Sequence, residues 1–158
     1  MLETIIWILT YIAYGIFVWM SGCAIHELFH YWEGKRQGAD VNIKIWYWHG
    51  FPSLMTTYDK LKSPTWFFFM GGFGAGCVLC FSSLIVPFIV WQPFSWWQFF
   101  PFGIGVINWV YSVYEMVLIQ RIPRDLYMIG HYALYMITGF LFTILYWGND
   151  LFARTTGV

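Results

Sequence analysis

Residues 63–114 read SPTWFFFMGGFGAGCVLCFSSLIVPFIVWQPFSWWQFFPFGIGVINWVYSVY, fifty-two consecutive positions without a Lys, Arg, Asp or Glu. A membrane-spanning helix uses about 20 such residues, so one helix cannot account for the run. The run breaks at Trp91-Gln92-Pro93-Phe94-Ser95-Trp96-Trp97, where Pro and Gln sit among Trp residues of the interfacial type. This predicts two spans, at about 65–90 and 97–119. Before the run, Thr4 to Ile25 holds no charged residue, and the helical pattern continues through His26 and His30, which predicts a first span at about 4–32. After it, the polar turn Gln120-Arg121-Ile122-Pro123-Arg124-Asp125 leads into Leu126 to Asn149, again uncharged, for a fourth span at about 126–148.

The whole composition agrees. Of 158 residues, 59% are hydrophobic and 10% charged, against about 45–50% and about 25% in soluble domains. Aromatics reach 24%, too many for a soluble surface with so few charges to spare, and too many for a disordered chain. Eight Lys and Arg against eight Asp and Glu leave no basic surplus, which excludes nucleic-acid binding as the main role. The N-terminus is not read as a signal peptide, because it carries Glu3, no basic residue and no small-residue cleavage site after the apolar run. The expected class is an all-α membrane protein: one integral membrane domain over 1–158, with four transmembrane helices and the lipid bilayer as its solvent.

Basic residues set the expected orientation. Lys35, Arg36, Lys44, Lys60 and Lys62 lie between the first two spans, and Arg121 and Arg124 in the 120–125 turn; only Arg154 falls on the other side. The positive-inside rule then puts both basic segments in the cytoplasm and both termini outside, as for a multi-pass protein of the cell membrane. The only sizeable extramembrane piece is 33–64. Val41-Asn42-Ile43-Lys44-Ile45 alternates as a strand does, His49-Gly50-Phe51-Pro52 reads as a turn, and Leu54 to Tyr58 as a returning strand. A small β-hairpin at the cytoplasmic surface, about 40–60, is expected.

His26-Glu27-Leu28-Phe29-His30 carries the chemistry. Residues four apart share one face of a helix, so both imidazoles can reach one Zn²⁺, and Glu27 stands where a general base toward an attacking water would stand. An ionisable cluster within an apolar span is costly without a function. Zinc needs a third protein ligand, and membrane depth limits the choice to Asp125, His131 and Glu115. Asp125 starts the fourth span, His131 lies about 9 Å further in at helical rise, and Glu115 lies about one turn inside the end of the third.

At these residues the chain resembles the site-2 protease-like intramembrane metalloproteases, over Ile25 to about Tyr132. HELFHYWEGKRQGADV is similar to that family's HExxH helix with its basic, Gly-containing exit and following strand. Ser63-Pro64 to Gly76, with Gly71-Gly72-Phe73-Gly74-Ala75-Gly76, is similar to the small-residue start of its second core helix, and Ile122-Pro123-Arg124-Asp125 to the Pro turn before its aspartate ligand. The family usually has an Asn about eight residues before that aspartate; here Asn108 stands seventeen before Asp125. The resemblance implies a zinc metalloendopeptidase with His26, His30 and Asp125 as ligands and Glu27 as base. Its substrate would be a membrane-spanning or membrane-associated protein or peptide, cut near the cytoplasmic face and held unwound by an edge strand of the 41–58 hairpin. The competing expectation is a degenerate, non-catalytic four-helix relative that binds a metal or a partner helix.

Other residues read more plainly. Cys77-Val78-Leu79-Cys80 lies inside an apolar helix and reads as packing, with Cys23 the only other Cys. Gly72 and Gly76 form a small-xxx-small pair expected to pack the second span against the first. His49 reads as a turn residue, and Asn108 as a hydrogen-bonding contact between helices.

Overall fold

The computed structural model describes residues 2–48, 51–90, 96–119 and 121–123, followed by Leu126, Tyr127, Ile129, Gly130, Ala133, Leu134, Met136, Ile137 and Leu141. Three helices and a two-stranded antiparallel sheet make up its elements: α1 (Leu2–Arg36), β1 (Asp40–Trp48), β2 (Phe51–Asp59), α2 (Pro64–Val90) and α3 (Trp96–Leu118). Among the described residues, two stretches are long and apolar enough to cross a membrane, Ile12–Arg36 of α1 and Pro64–Val86 of α2. α3 occupies the position of the third expected span. The fourth falls mostly outside the described residues, and those of its residues that are described are helical.

α1 runs a turn beyond the expected Trp32, and local chemistry explains where it stops. Gly38, at φ +77, takes the left-handed conformation that costs glycine least. Its N–H donates to Lys35 O at 2.9 Å and the Ala39 N–H to Gly34 O at 3.0 Å, the paired closing bonds of a Schellman motif. Lys35 and Arg36 in the last turn suit the helix dipole. Buried Glu33 accepts from Arg36 Nε and Nη2, each at 2.8 Å, and from Gln37 Nε2 at 2.8 Å. The Gln37 amide then closes onto the start of α2. Its Oε1 accepts from Ser63 N–H at 2.7 Å and its Nε2 donates to Ser63 O at 3.1 Å. Pro64 opens α2 at the position where a missing N–H costs nothing.

The hairpin pairs Asp40 with Asp59 through to Trp48 with Phe51. The second strand therefore begins at Phe51, not at Leu54, and Pro52, expected in the turn, lies in the strand opposite Tyr47. Thr56 explains why a proline is accepted. Its N–H points to Glu27 and not to β1, so Thr56 and Ile43 are a non-hydrogen-bonded pair. Pro52, four residues earlier, has the same orientation, and its missing N–H falls on the unpaired edge.

Two apolar clusters hold the elements together. Val18, Leu79, Ile104 and Ile107 join the three helices, while Ala39, Val41, Phe67 and Phe68 seat the base of the hairpin on α2. The α2–α3 contact is the most extensive. Gly72 and Gly76 make it, not a contact with α1 as expected: a Cβ on Gly72 would strike Asn108 O and Ser112, and one on Gly76 would strike Trp109 and Gly105 O. α1 instead meets Gly71 and Gly74, which leave room for the His30 and Phe29 rings. Cys80 Sγ donates to Phe102 O at 3.6 Å, in keeping with a packing role.

Candidate metal centre

His26 and His30 project one turn apart from the inner face of α1, and both are buried. The opposite wall is α3. Asn108, Tyr111, Ser112 and Glu115, spaced three and four apart, form one buried polar stripe along it. Asn108 is wholly inaccessible, at 0% exposure.

The hydrogen bonds decide what the imidazoles offer. Asn108 Nδ2 donates to Ile104 O at 2.9 Å, which turns Oδ1 toward His26 Nδ1 at 3.3 Å. An amide oxygen only accepts, so His26 carries its proton on Nδ1. His30 Nδ1 lies 2.8 Å from Phe67 O, an acceptor as well, and is protonated for the same reason. Both Nε2 lone pairs then point inward. They are 3.0 Å apart, and Glu115 Oε2 lies 3.1 Å from the first and 3.3 Å from the second. Three acceptors facing one another repel unless positive charge sits between them, as a shared proton or a metal cation. A tetrahedral zinc with bonds of about 2.0–2.1 Å spaces its ligand atoms about 3.3 Å apart, close to all three separations. Two His and one Glu form a ligand set found at catalytic zinc.

Packing fixes the rings. His30 stacks on Phe67 at 4.6 Å and 20°, and its edge fits where Gly71 has no side chain. Tyr111 lies 5.5 Å from the His26 ring.

Glu27 can also join His26 and His30, its ligand atom within 4.8 Å of theirs, but one of its oxygens is engaged elsewhere. Thr56 N–H donates to Glu27 Oε2 at 2.6 Å, and Thr56 Oγ1 donates to Glu27 O at 3.0 Å. These two bonds bring the outer edge of β2 against the site. A cavity of about 450 Å³ opens there, with Glu27, His26, His30 and Glu115 on one side and Leu54, Thr56 and Tyr58 of β2 on the other. Half-buried Tyr58 has its phenol held above the ordinary range, first by burial and then by the negative charge of Glu115.

Of the expected site residues, His26, Glu27, His30 and Glu115 come together. Asp125 and His131 lie outside the described residues, as does His49, expected only as a turn residue. Thr56, the Phe67 carbonyl and Tyr111 were not expected at the site. The stripe Asn108, Tyr111, Ser112, Glu115 was a signal available in the sequence, because polar residues at helical spacing in a charge-free segment must face one another or a ligand. Asn108 does bridge helices, and the residue it reaches is an imidazole of the cluster. No protein-family model, no curated protein and no solved structure matches this chain.

Proposed function

We propose that this chain is a multi-pass membrane zinc metalloprotease of the site-2 protease-like kind, with His26, His30 and Glu115 holding the metal and Glu27 acting as base. The observation that carries this reading is the convergence of two imidazole Nε2 atoms and one carboxylate oxygen, 3.0–3.3 Å apart, beside a second carboxylate. Zinc bound there would supply Lewis-acid polarisation of the scissile carbonyl and acidify water.

The remaining steps belong to the chain. Asn108 and the Phe67 carbonyl hold the imidazoles in the ligating tautomer. Glu27 accepts the proton of the attacking water and returns it to the departing amine. Thr56 holds the Glu27 carboxylate through its backbone N–H. β2 turns its outer edge to the cavity, where Thr56 meets Glu27, and an unwound stretch of a membrane-spanning or membrane-associated substrate would lie along that edge beside the metal centre. The outward face of α1 supports a lipid setting, because Ile12, Ile16, Phe17 and Met20 are all exposed on it. The distribution of basic residues supports a cytoplasmic position for the hairpin and the site.

A second reading has its own observation. If Glu27 serves only to pin Thr56, the chain is a non-catalytic metal-binding or helix-binding relative.

One preparation separates the two. The purified protein is expected to carry about one zinc per chain. Glu27→Gln should keep the zinc and lose cleavage of membrane peptides by the 10²–10⁴-fold that general-base catalysis supplies, and 1,10-phenanthroline should silence the wild type. A folded chain that stays metal-free with zinc added sinks the metal centre. Zinc-loaded wild type and mutant equally silent over a panel of membrane peptides would establish the second reading.

A further inference from the structure

The cavity at the candidate metal centre adjoins a second hollow, of about 440 Å³, between α1 and the hairpin. Phe17, Met20, Ser21 and Ala24 line it from the helix, and Ile45 and Leu54, paired across the two strands, line it from the sheet. Cys23 and Leu54 line both hollows, so the two meet at a shared wall. The four helix residues are spaced three and four apart and so occupy one face of α1. Glu27, three residues after Ala24, continues the same row.

The setting describes the occupant. The second hollow opens outward between apolar side chains: Phe17, Met20 and Ile45 are all exposed. It lies against Ile12–Arg36, the stretch of α1 apolar and long enough to cross a membrane. A peptide segment within a bilayer keeps its backbone hydrogen bonds inside a helix, because lipid offers no partner for a freed N–H or C=O. A membrane-spanning substrate therefore arrives helical, and only the residues that enter the polar cavity can unwind. The helix behind them needs an apolar bed that adjoins the cavity and runs in line with the base, and this hollow has both properties.

We propose that the groove between Phe17, Met20, Ser21 and Ala24 of α1 and Ile45 and Leu54 of the hairpin docks the still-helical part of a membrane-spanning substrate and leads it past Leu54 to Glu27. The inference rests on the proteolytic reading above and adds where the substrate lies before it is cut.

The test uses the full-length protein in phosphatidylcholine vesicles. The probe is a peptide of about 20 apolar residues carrying a cleavable reporter at its cytoplasmic end, long enough to span. Met20→p-benzoylphenylalanine and Ile45→p-benzoylphenylalanine should each photocrosslink to it, with a yield that saturates as peptide is added. The same photoprobe at Ile85, exposed on α2, should give only a low yield that rises in proportion to peptide. Ser21→Phe fills the groove floor. It should lower the crosslink at Ile45 and raise KM for the spanning peptide, each about tenfold, while the reporter sequence without its helix is cut as by wild type. Zinc content and helicity are measured on the same samples; if Ser21→Phe loses either, the crosslinking comparison decides alone. Equal, unsaturable yields at 20, 45 and 85 would make the groove a lipid contact and overturn the inference. So would an unchanged KM in a folded, zinc-loaded Ser21→Phe, with the protease reading left standing. Saturable crosslinking at 20 and 45 by a zinc-loaded chain that cuts nothing would keep the groove as a helix-binding site and overturn the proteolytic reading instead.

Discussion

The two halves of α1 follow opposite rules. From Leu2 to Met20, Ile5, Leu9, Ile12, Ile16 and Phe17 are exposed among the described residues, while Val18 turns inward to the core. From His26 to Arg36 the same helix buries an imidazole at 26, another at 30 and a carboxylate at 33, each with partners. A helix in water would be built the other way round. The outward half needs only a medium as apolar as itself. The inward half needs particular partners, because each polar group taken from its solvent must be satisfied one by one. Substitutions in the two halves should therefore differ in kind.

The largest effect is expected at the wall facing the inward half. Glu115→Ala removes the one described carboxylate in contact with both imidazoles, so zinc content should fall to background. Asp125→Ala, assayed alongside, should retain most of it. The reverse order in elemental analysis would return the ligand role to Asp125. Next comes Asn108→Leu, which keeps volume and frees the His26 tautomer; zinc affinity should drop about 10–100-fold, read by chelator competition. Gly71→Ala follows. Its methyl would occupy the space of the His30 ring, and the displaced imidazole should cost zinc affinity toward the lower end of that range, while Gly38→Ala, far from the rings, should not. Smallest of all is Ile16→Ser in the outward half. Zinc affinity should be unchanged and thermal stability in detergent should move by no more than about 0.5 kcal/mol. A loss of metal in that variant would erase the distinction between the halves.

How far the sequence was legible follows from the range of each interaction. His26, Glu27 and His30 are local, and helical spacing alone places them together. The hairpin was legible from the alternation Val41 to Ile45, although the strand reaching back through Pro52 was not, because the rule against proline in strands lapses on an unpaired edge. Glu115 was visible only as one candidate among three, since its contact with His26 spans 89 residues and depends on how α3 is rotated about its axis. The spacing contained a clue. Asn108 lies seventeen residues before Asp125 but seven, two helical turns, before Glu115. Gly72 and Gly76 were assigned to the wrong neighbour for a related reason: a small-residue pair marks a close approach without saying which helix approaches.

The Gln37 amide, clasping both backbone groups of Ser63, means that the chain leaves the helices and returns to them at a single point. Everything between is an excursion on a closed clasp. For a bundle whose candidate metal centre sits on α1 and α3, the outer part of that excursion is free to diverge. Its tip, around Trp48 and Phe51, can lengthen, shorten or change composition without moving an imidazole, provided Val41 stays seated and Thr56 keeps hold of Glu27. An evolving lineage could thus change what is presented to the site while inheriting the site intact.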